Sequence, residues 1–561
     1  MRGAPVGSDD PVRGLARPPE SIPERNPVIR DALASAVRDA LVALAVDPLP
    51  ERIDLERPAR KEHGDWSTNV ALATAKKADR NPRELAGELI DHLNANPPAH
   101  LERVEIAGPG FVNFHLAPTW LHDVLAEVVT AGVDGYARSE DGAGRSVNVE
   151  FVSANPTGPV HAGHARGAAY GDSVARLLER CGWAVTREFY INDRGVQMQN
   201  FGASLAARKK GEEPPEDGYQ GQYVTDWAAE MPDGVDPVAW GEDRALADQR
   251  EALAAFGVHF DVWYRELALV GSGAIEETLG ELRDKGYVFD EDGAVWLRST
   301  DFGDDKDRVL VKSDGELTYL APDIAYHRDK FSRAERLINV WGADHHGYVA
   351  RMKAAMAALG HDSGELEVAI VQLVELLKDG EPVRISKRSG NLIELRDIVD
   401  EVGADAARLT YLLQSIDSRQ TVDLAVVASQ GMDNPVYYVQ MAHARIHGIA
   451  RRAAEAGFER APLADVDLSL LTHERELDVL RSLSELPETV VSACADRAPH
   501  RVTTWVRELA GAFHGFYHDC YVVGDGVSPE LTQARLWLVE SARVGLSVGL
   551  DLLGVSAPES L

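Results

Sequence analysis

The chain has 561 residues, too many for one hydrophobic core, so about three or four domains are expected. Its composition, 45% hydrophobic and 26% charged, is that of a soluble protein; no apolar run nears the ~18 residues of a membrane span and no signal-peptide stretch opens the chain, which points to the cytoplasm and away from membranes. Ninety Asp+Glu against 58 Lys+Arg, only twelve of them lysine, give a net charge of −32, which fits a generic acidic cytoplasmic protein or, given the few lysines, a surface adapted to high salt; on either, nucleic acid would be held by local basic and aromatic patches.

Residues 1–25 are rich in Pro, Arg and Gly without periodicity and are expected to form a disordered tail. "NPVIRDALASAVRDALVAL" then repeats apolar residues at helical spacing. "HGDWSTNVALATAKKADRNPRELAGELIDHLN" predicts a loop and two helices, with Asn81 as cap and Pro82 at the first helical position. "RVEIAGPGFVNFHLA" predicts two short strands around the turn Gly108-Pro109-Gly110. Residues 26–118 thus form a small α+β domain.

"SVNVEFVSA" (146–154) has the character of a buried strand. A Pro/Gly loop, a helix stopped at Gly182 and the strand "AVTREFYIND" follow, a β-loop-α-β unit of a doubly wound parallel sheet. Residues 205–240 are Gly-, Pro- and acid-rich and predict a surface insertion within the block 205–270. "RLINVWGAD" and "LEVAIVQLV" resume the sheet around the helix "YVARMKAAMAAL", completing an α/β domain over 119–425. After Gly403 the spacing stays helical, and residues 426–561 are expected to be all-α. Cys181, Cys494 and Cys520 lie far apart and suit buried hydrophobes better than a disulfide framework or a zinc site.

The chemistry concentrates in "NPTGPVHAGHARG" (155–167). His161 and His164 share a helix face at the amino end of a helix fed by a parallel strand, where unpaired N–H groups and the helix dipole attract anions. Phosphate binding, a metal pair and capping histidines all remain open for them; no third and fourth metal ligand stands at recognisable spacing. A second cluster, "EPVRISKRSGN" (381–391), follows the turn Asp379-Gly380 and offers a cationic loop that could close over phosphates. No Gly-Lys dipeptide occurs, so there is no Walker A loop.

Together "HAGH" and "RISKR" resemble the two signatures of class I aminoacyl-tRNA synthetases. "VEFVSANPTGPVHAGHARG", "VWGADHHGYVARMKAA", "VRISKRSGNLIELRDIVDEVGADAAR" and "YYVQMAHARI" are similar to the arginyl-tRNA synthetase family, as are "HGDWSTNVALATAKK" and "GLDLLGVSAPES". The resemblance runs from about residue 26 to the end and implies a Rossmann-like class I catalytic domain between an N-terminal α+β domain and a C-terminal α-helical anticodon-binding domain. It implies activation of L-arginine by ATP, brought as its Mg2+ complex, and transfer to the terminal ribose of tRNA(Arg), by a monomer with no tightly held metal. His161, His164 and Lys387 would be catalytic, and Thr157, Gly158, Gly163, Asp344, His345, Ser386 and Arg388 would join them around ATP. Arg384 and Ile385 depart from the usual Lys-Met of that loop, while its second lysine is retained as Lys387. Glu150, Ser153, Asn155, Tyr319 and Asp323 would bind arginine, because a guanidinium fork pairs bidentately with carboxylates. Phe111 and Asn113, and Tyr438 and Arg445 in the helical domain, would meet tRNA, the aromatics by stacking on unpaired bases. Two other readings share part of the pattern: another class I synthetase or nucleotidyltransferase, and a synthetase-like RNA-binding protein without activity.

Overall fold

The computed structural model describes residues 29–58, 60–382, 393–429 and 431–561, so the expected tail at 1–25 lies outside it. The chain divides into two compact units after His122. The first holds α1 (Ile29–Ala43), β1 (Trp66–Thr68), α2 (Val70–Ala75), α3 (Pro82–Ala95), β2 (Leu101–Ala107) and β3 (Phe111–Leu116). The strands form one antiparallel sheet in the order β1-β3-β2. At the start of α3 the Asn81 side chain accepts from Arg83 N and Glu84 N at 2.9 and 3.3 Å, ahead of Pro82, which has no N–H to leave unpaired. Leu33, Val37, Leu41, Leu85, Leu89 and Phe114 are buried in this unit.

Helix α4 (Thr119–Gly135), interrupted at Gly132, leads into the second unit. There β4 (Ser146–Glu150), α5 (Ala162–Arg180) and β5 (Ala184–Ile191) form the expected β-loop-α-β unit. Then come α6 (Val196–Lys209), α7 (Gln222–Glu230), α8 (Pro237–Ala255), β6 (Val262–Arg265), α9 (Glu266–Gly271) and α10 (Ala274–Asp284). Strands β7 (Val288–Glu291), β8 (Ala294–Leu297) and β9 (Arg308–Val311) make a separate antiparallel sheet that periodicity did not suggest. Helix α11 (Leu320–Arg333), β10 (Arg336–Gly342), α12 (Val349–Leu359) and β11 (Leu366–Val371) return the chain to the parallel sheet. Its five strands run in the order β11-β10-β4-β5-β6, all pairings parallel, so the crossovers reverse direction between β4 and β10. In open α/β sheets the crevice at the carboxyl ends of such neighbouring strands is where ligands bind.

Strands β12 (Val374–Lys378) and β13 (Glu381–Pro382) form the hairpin expected at Asp379-Gly380, where Asp379 and Gly380 both have positive φ. Helices α13 (Leu395–Val402) and α14 (Ala404–Tyr411) precede β14 (Gln420–Asp423), which pairs with β12. The region after Gly403 is therefore not purely helical. Helix α15 (Leu424–Val427) leads to the long helices α16 (Pro435–Glu455), α17 (Glu474–Ala495), α18 (His500–Asp519) and α19 (Pro529–Leu552).

The acid- and glycine-rich stretch from 205 to 240, expected as a surface insertion, carries α7 and the start of α8. Phe201, Leu205, Val224, Trp227, Met231 and Ala245 form a buried core of their own, with Tyr219, Tyr223 and Trp240 packed on it. Overall composition concealed these widely spaced aromatics, and so the helices that carry them. All three cysteines are buried free thiols.

Candidate active site

Strand β4 ends at Glu150, and the chain turns at Val152 (φ 68°) and Ser153 (φ 40°) before reaching α5. A β-branched residue in the left-handed region is strained by about 1–3 kcal/mol, a cost tolerated where the surroundings fix a functional loop. Two side chains of the helical segment grip the backbone of the loop 155–158. Gln249 of α8 donates to Asn155 O at 3.0 Å and Gly158 O at 2.9 Å, and Tyr223 Oη donates to Thr157 O at 2.9 Å. Asn155 itself donates to Gln197 Oε1 at 2.9 Å.

His161 caps α5, its Nδ1 accepting from Gly163 N at 3.1 Å, so in the neutral ring the hydrogen lies on Nε2. The rings of His161 and His164 lie against each other with centroids 3.8 Å apart. Gly163 makes room for this: a Cβ there would sit 2.9 Å from two atoms of the His161 ring. The chain just after the second motif pairs with the first. Ala162 N donates to Ile393 O and Leu395 N to Val160 O, so His161 bridges Glu394 at the point where the chain leaves the segment of Ser386, Lys387 and Arg388. Those three residues lie outside the described residues. Burial, and then Asp397, raise the Glu394 carboxyl to about 6.

Beneath the loop lies a polar interior. Glu150 accepts from Ser153 Oγ at 3.1 Å and from Lys330 Nζ at 2.6 Å, and Ser153 Oγ accepts from Tyr190 N at 3.1 Å. Asp323, in the first turn of α11, accepts from Tyr348 Oη at 2.6 Å. Burial raises its carboxyl to about 7, against the lowering by the Tyr348 bond, while Glu266 and Glu150 raise it further. Glu266, buried at the start of α9, is raised by its own burial and lowered by a hydrogen bond from Tyr190. Burial raises the Tyr190 hydroxyl pKa, and Glu266, Asp323 and Glu150 all act on it to raise it further. Glu266, Tyr348 and Lys330 escaped sequence reasoning, as did Gln249 and Tyr223, because each comes from an element far away in sequence. The one available signal was an acid placed directly after a short strand, in "VWYRE".

Tyr319 is not brought into this group: it precedes α11 and is 85% exposed, although four residues separate it from Asp323. Asp344 and His345, paired at 3.5 Å, are exposed at the carboxyl end of β10, the ligand edge of the sheet. In the first unit Phe111 is 38% exposed, as a stacking residue needs to be, whereas Asn113 is 2% exposed and accepts from Ser67 Oγ at 2.7 Å, which spends its amide oxygen inside the sheet. On α16, Tyr438 and Arg445 converge on His514: Arg445 donates to its Nδ1 at 2.9 Å, and its Nε2 donates to Tyr438 O at 3.0 Å. Arg445 also lies over the Tyr517 ring at 4.8 Å. Tyr438 borders a cavity with Met432, Asp433, Pro435, Thr504 and Arg507. Among the described residues no group of His, Cys, Asp and Glu could hold a metal ion, and no helix is long and apolar enough to cross a membrane.

A doubly wound sheet whose helix after β4 is capped by one histidine with a second stacked on it is the arrangement of a class I aminoacyl-tRNA synthetase catalytic domain, and residues 127–220 and 253–447 match the family model for the class I (R) tRNA synthetase catalytic domain. Residues 28–116 match the arginyl tRNA synthetase N-terminal domain and residues 439–561 the DALR anticodon binding domain. The chain belongs to the arginyl-tRNA synthetase family. It is 44% identical to the arginine–tRNA ligase of Bacillus subtilis, over 95% of this chain and 98% of that one. With the arginine–tRNA ligase of Moorella thermoacetica it shares 45% identity over 94% and 98%. The arginyl-tRNA synthetase structure from Thermus thermophilus superposes with a TM-score of 0.75 at 24% identity, covering 95% of this chain and all of that one.

Proposed function

We propose that this chain activates L-arginine with Mg-ATP and transfers the arginyl group to the 3′-terminal ribose of tRNA(Arg), as a cytoplasmic monomer. The arginine carboxylate attacks the α-phosphate, forming arginyl-adenylate and releasing pyrophosphate; the ribose 2′-OH then takes the acyl group. Neither step needs a covalent enzyme nucleophile, so catalysis rests on positioning and charge stabilisation. His161 and His164 steady the phosphates at the α5 terminus, with the Thr157–Gly158 loop and Gly163 along the nucleotide. Ser386, Lys387 and Arg388 neutralise the departing pyrophosphate, and Asp344 and His345 border the adenosine. Glu150, Asp323 and Glu266 receive the guanidinium, and Ser153 and Asn155 lie toward the α-amino and carboxylate end. Phe111 serves tRNA from the first unit, and Tyr438 with Arg445 from the helical region.

The observation that supports this reading most is the pairing of Val160–Ala162 with Ile393–Leu395, which anchors residues just after the cationic segment to the histidine loop that follows β4. Pyrophosphate exchange with each amino acid in turn, with and without tRNA and in high salt, is the test. Arginine alone should support exchange. Exchange with another amino acid would sink the specificity, and none under any condition would leave an RNA-binding protein.

A further inference from the structure

Five residues on β4, β10 and α11 form one continuous buried chain of hydrogen bonds. Lys330 Nζ, whose side chain is fully buried, donates to Glu150 Oε2 at 2.6 Å and to Asn339 Oδ1 at 2.7 Å. Its remaining face lies 4.7 Å from the centre of the Tyr326 ring. Asn339 Nδ2 donates to His327 Nε2 at 2.7 Å, and His327 Nδ1 donates to Asp323 O at 2.8 Å. Asn339 stands beside Glu150 in the parallel register of β10 and β4, and Asp323, His327 and Lys330 follow one another at helical spacing on α11. The imidazole, buried and beside the Lys330 ammonium, is held neutral with its hydrogen on Nδ1. The chain begins at one carboxylate of the proposed arginine pocket and ends on the backbone of another.

We propose that Lys330, Asn339 and His327 are positioning residues that set the separation and orientation of Glu150 and Asp323, and so the enzyme's discrimination for a guanidinium. This rests on the arginine-pocket reading above. Two features favour positioning over mere support of the fold. Lys330 neutralises Glu150 within the protein, so Glu150 contributes fixed acceptor geometry while the remaining countercharge comes from Asp323 and Glu266. Every polar atom along the route has a partner, which gives the side chains one arrangement to adopt. A planar fork reads acceptor spacing, and a loosened support changes its fit more than that of a triphosphate bound elsewhere.

The test is steady-state pyrophosphate exchange with tRNA present, comparing Asn339→Asp, Lys330→Met and, as control, Glu150→Gln. Asn339→Asp matches the wild-type shape and keeps an acceptor for Lys330 but loses the N–H to His327. Each relay variant should raise the KM for arginine by about tenfold or more, as loss of a supporting partner commonly does, while the KM for ATP stays within twofold. Selectivity for arginine over citrulline, its neutral isostere, should fall in parallel. If Glu150→Gln raises the arginine KM but Asn339→Asp does not, the relay is refuted and the pocket stands. If Glu150→Gln itself leaves the arginine KM unchanged, the pocket reading fails. Equal rises in both KM values would reduce the relay to a structural support. Should Lys330→Met not fold, Asn339→Asp decides alone.

Discussion

A carboxyl held near neutrality by burial accepts a cation only by giving up its proton, and Asp323 is such a group. Desolvation raises it to about 7; Glu266 and Glu150 push in the same direction, while Tyr348 and Lys330 oppose. A guanidinium requires the anion, so binding releases a proton when the pH is below the free enzyme's value. The affinity for arginine should therefore fall about tenfold for each pH unit below roughly 7 and level off above it, with the KM for ATP unaffected over the same range. Measuring kcat/KM for arginine between pH 5.5 and 8.5 checks this. Asp323→Asn should cost about 2–5 kcal/mol of arginine binding and flatten that acid limb. The Tyr348 hydroxyl stabilises the anion, so Tyr348→Phe should move the limb to higher pH; movement to lower pH would mean another group sets it.

At the scale of elements, the site depends on how one helix begins. Gly163→Ala would place a Cβ 2.9 Å from the His161 ring, driving the imidazole off its cap. Loss of the cap should destabilise the protein by about 1 kcal/mol, seen as a lower urea midpoint. The displaced ring should slow adenylate formation by roughly a hundredfold, seen in single-turnover activation; a rate within twofold of wild type would show that His161 can move without consequence. This helix and its neighbouring strand were legible in the sequence because local rules dictate them: a strand, a Pro/Gly loop, a helical run and a stop at Gly182. The acid group beneath was only partly legible. Asn148 and Glu150 alternate with valines as an exposed strand face would, yet both are buried, because α11 covers that face with His327, Lys330 and Arg333. Their partners lie 40 to 180 residues away, a distance over which no local pattern reports. Tyr319, four residues before Asp323, stands at the cap of the same helix and is exposed, so sequence separation alone does not bring the two side chains together.

The whole molecule sets a problem that no single residue solves, since a chain of net charge −32 must bind a polyanion. An ordinary tRNA-binding protein releases counterions on association, so salt weakens it. Here long-range repulsion between two negative bodies opposes binding, and it fades as the Debye length falls from about 10 Å at 0.1 M to about 3 Å at 1 M. Attraction to RNA rests on short-ranged contacts, base stacking and guanidinium–phosphate pairs, which lose less at close range. Self-repulsion among the surface carboxylates also relaxes, so the folded state gains stability over the same interval. Aminoacylation should rise between 0.1 and 1 M KCl, with the KM for tRNA flat or falling and the thermal midpoint increasing. A comparison with tetramethylammonium chloride at equal ionic strength separates screening from specific K+ binding. Screening predicts the same curve for both salts, and a KM for tRNA that climbs steeply from 0.1 M would show instead that counterion release from a local basic patch governs binding and that the acidic surface confers no tolerance of salt.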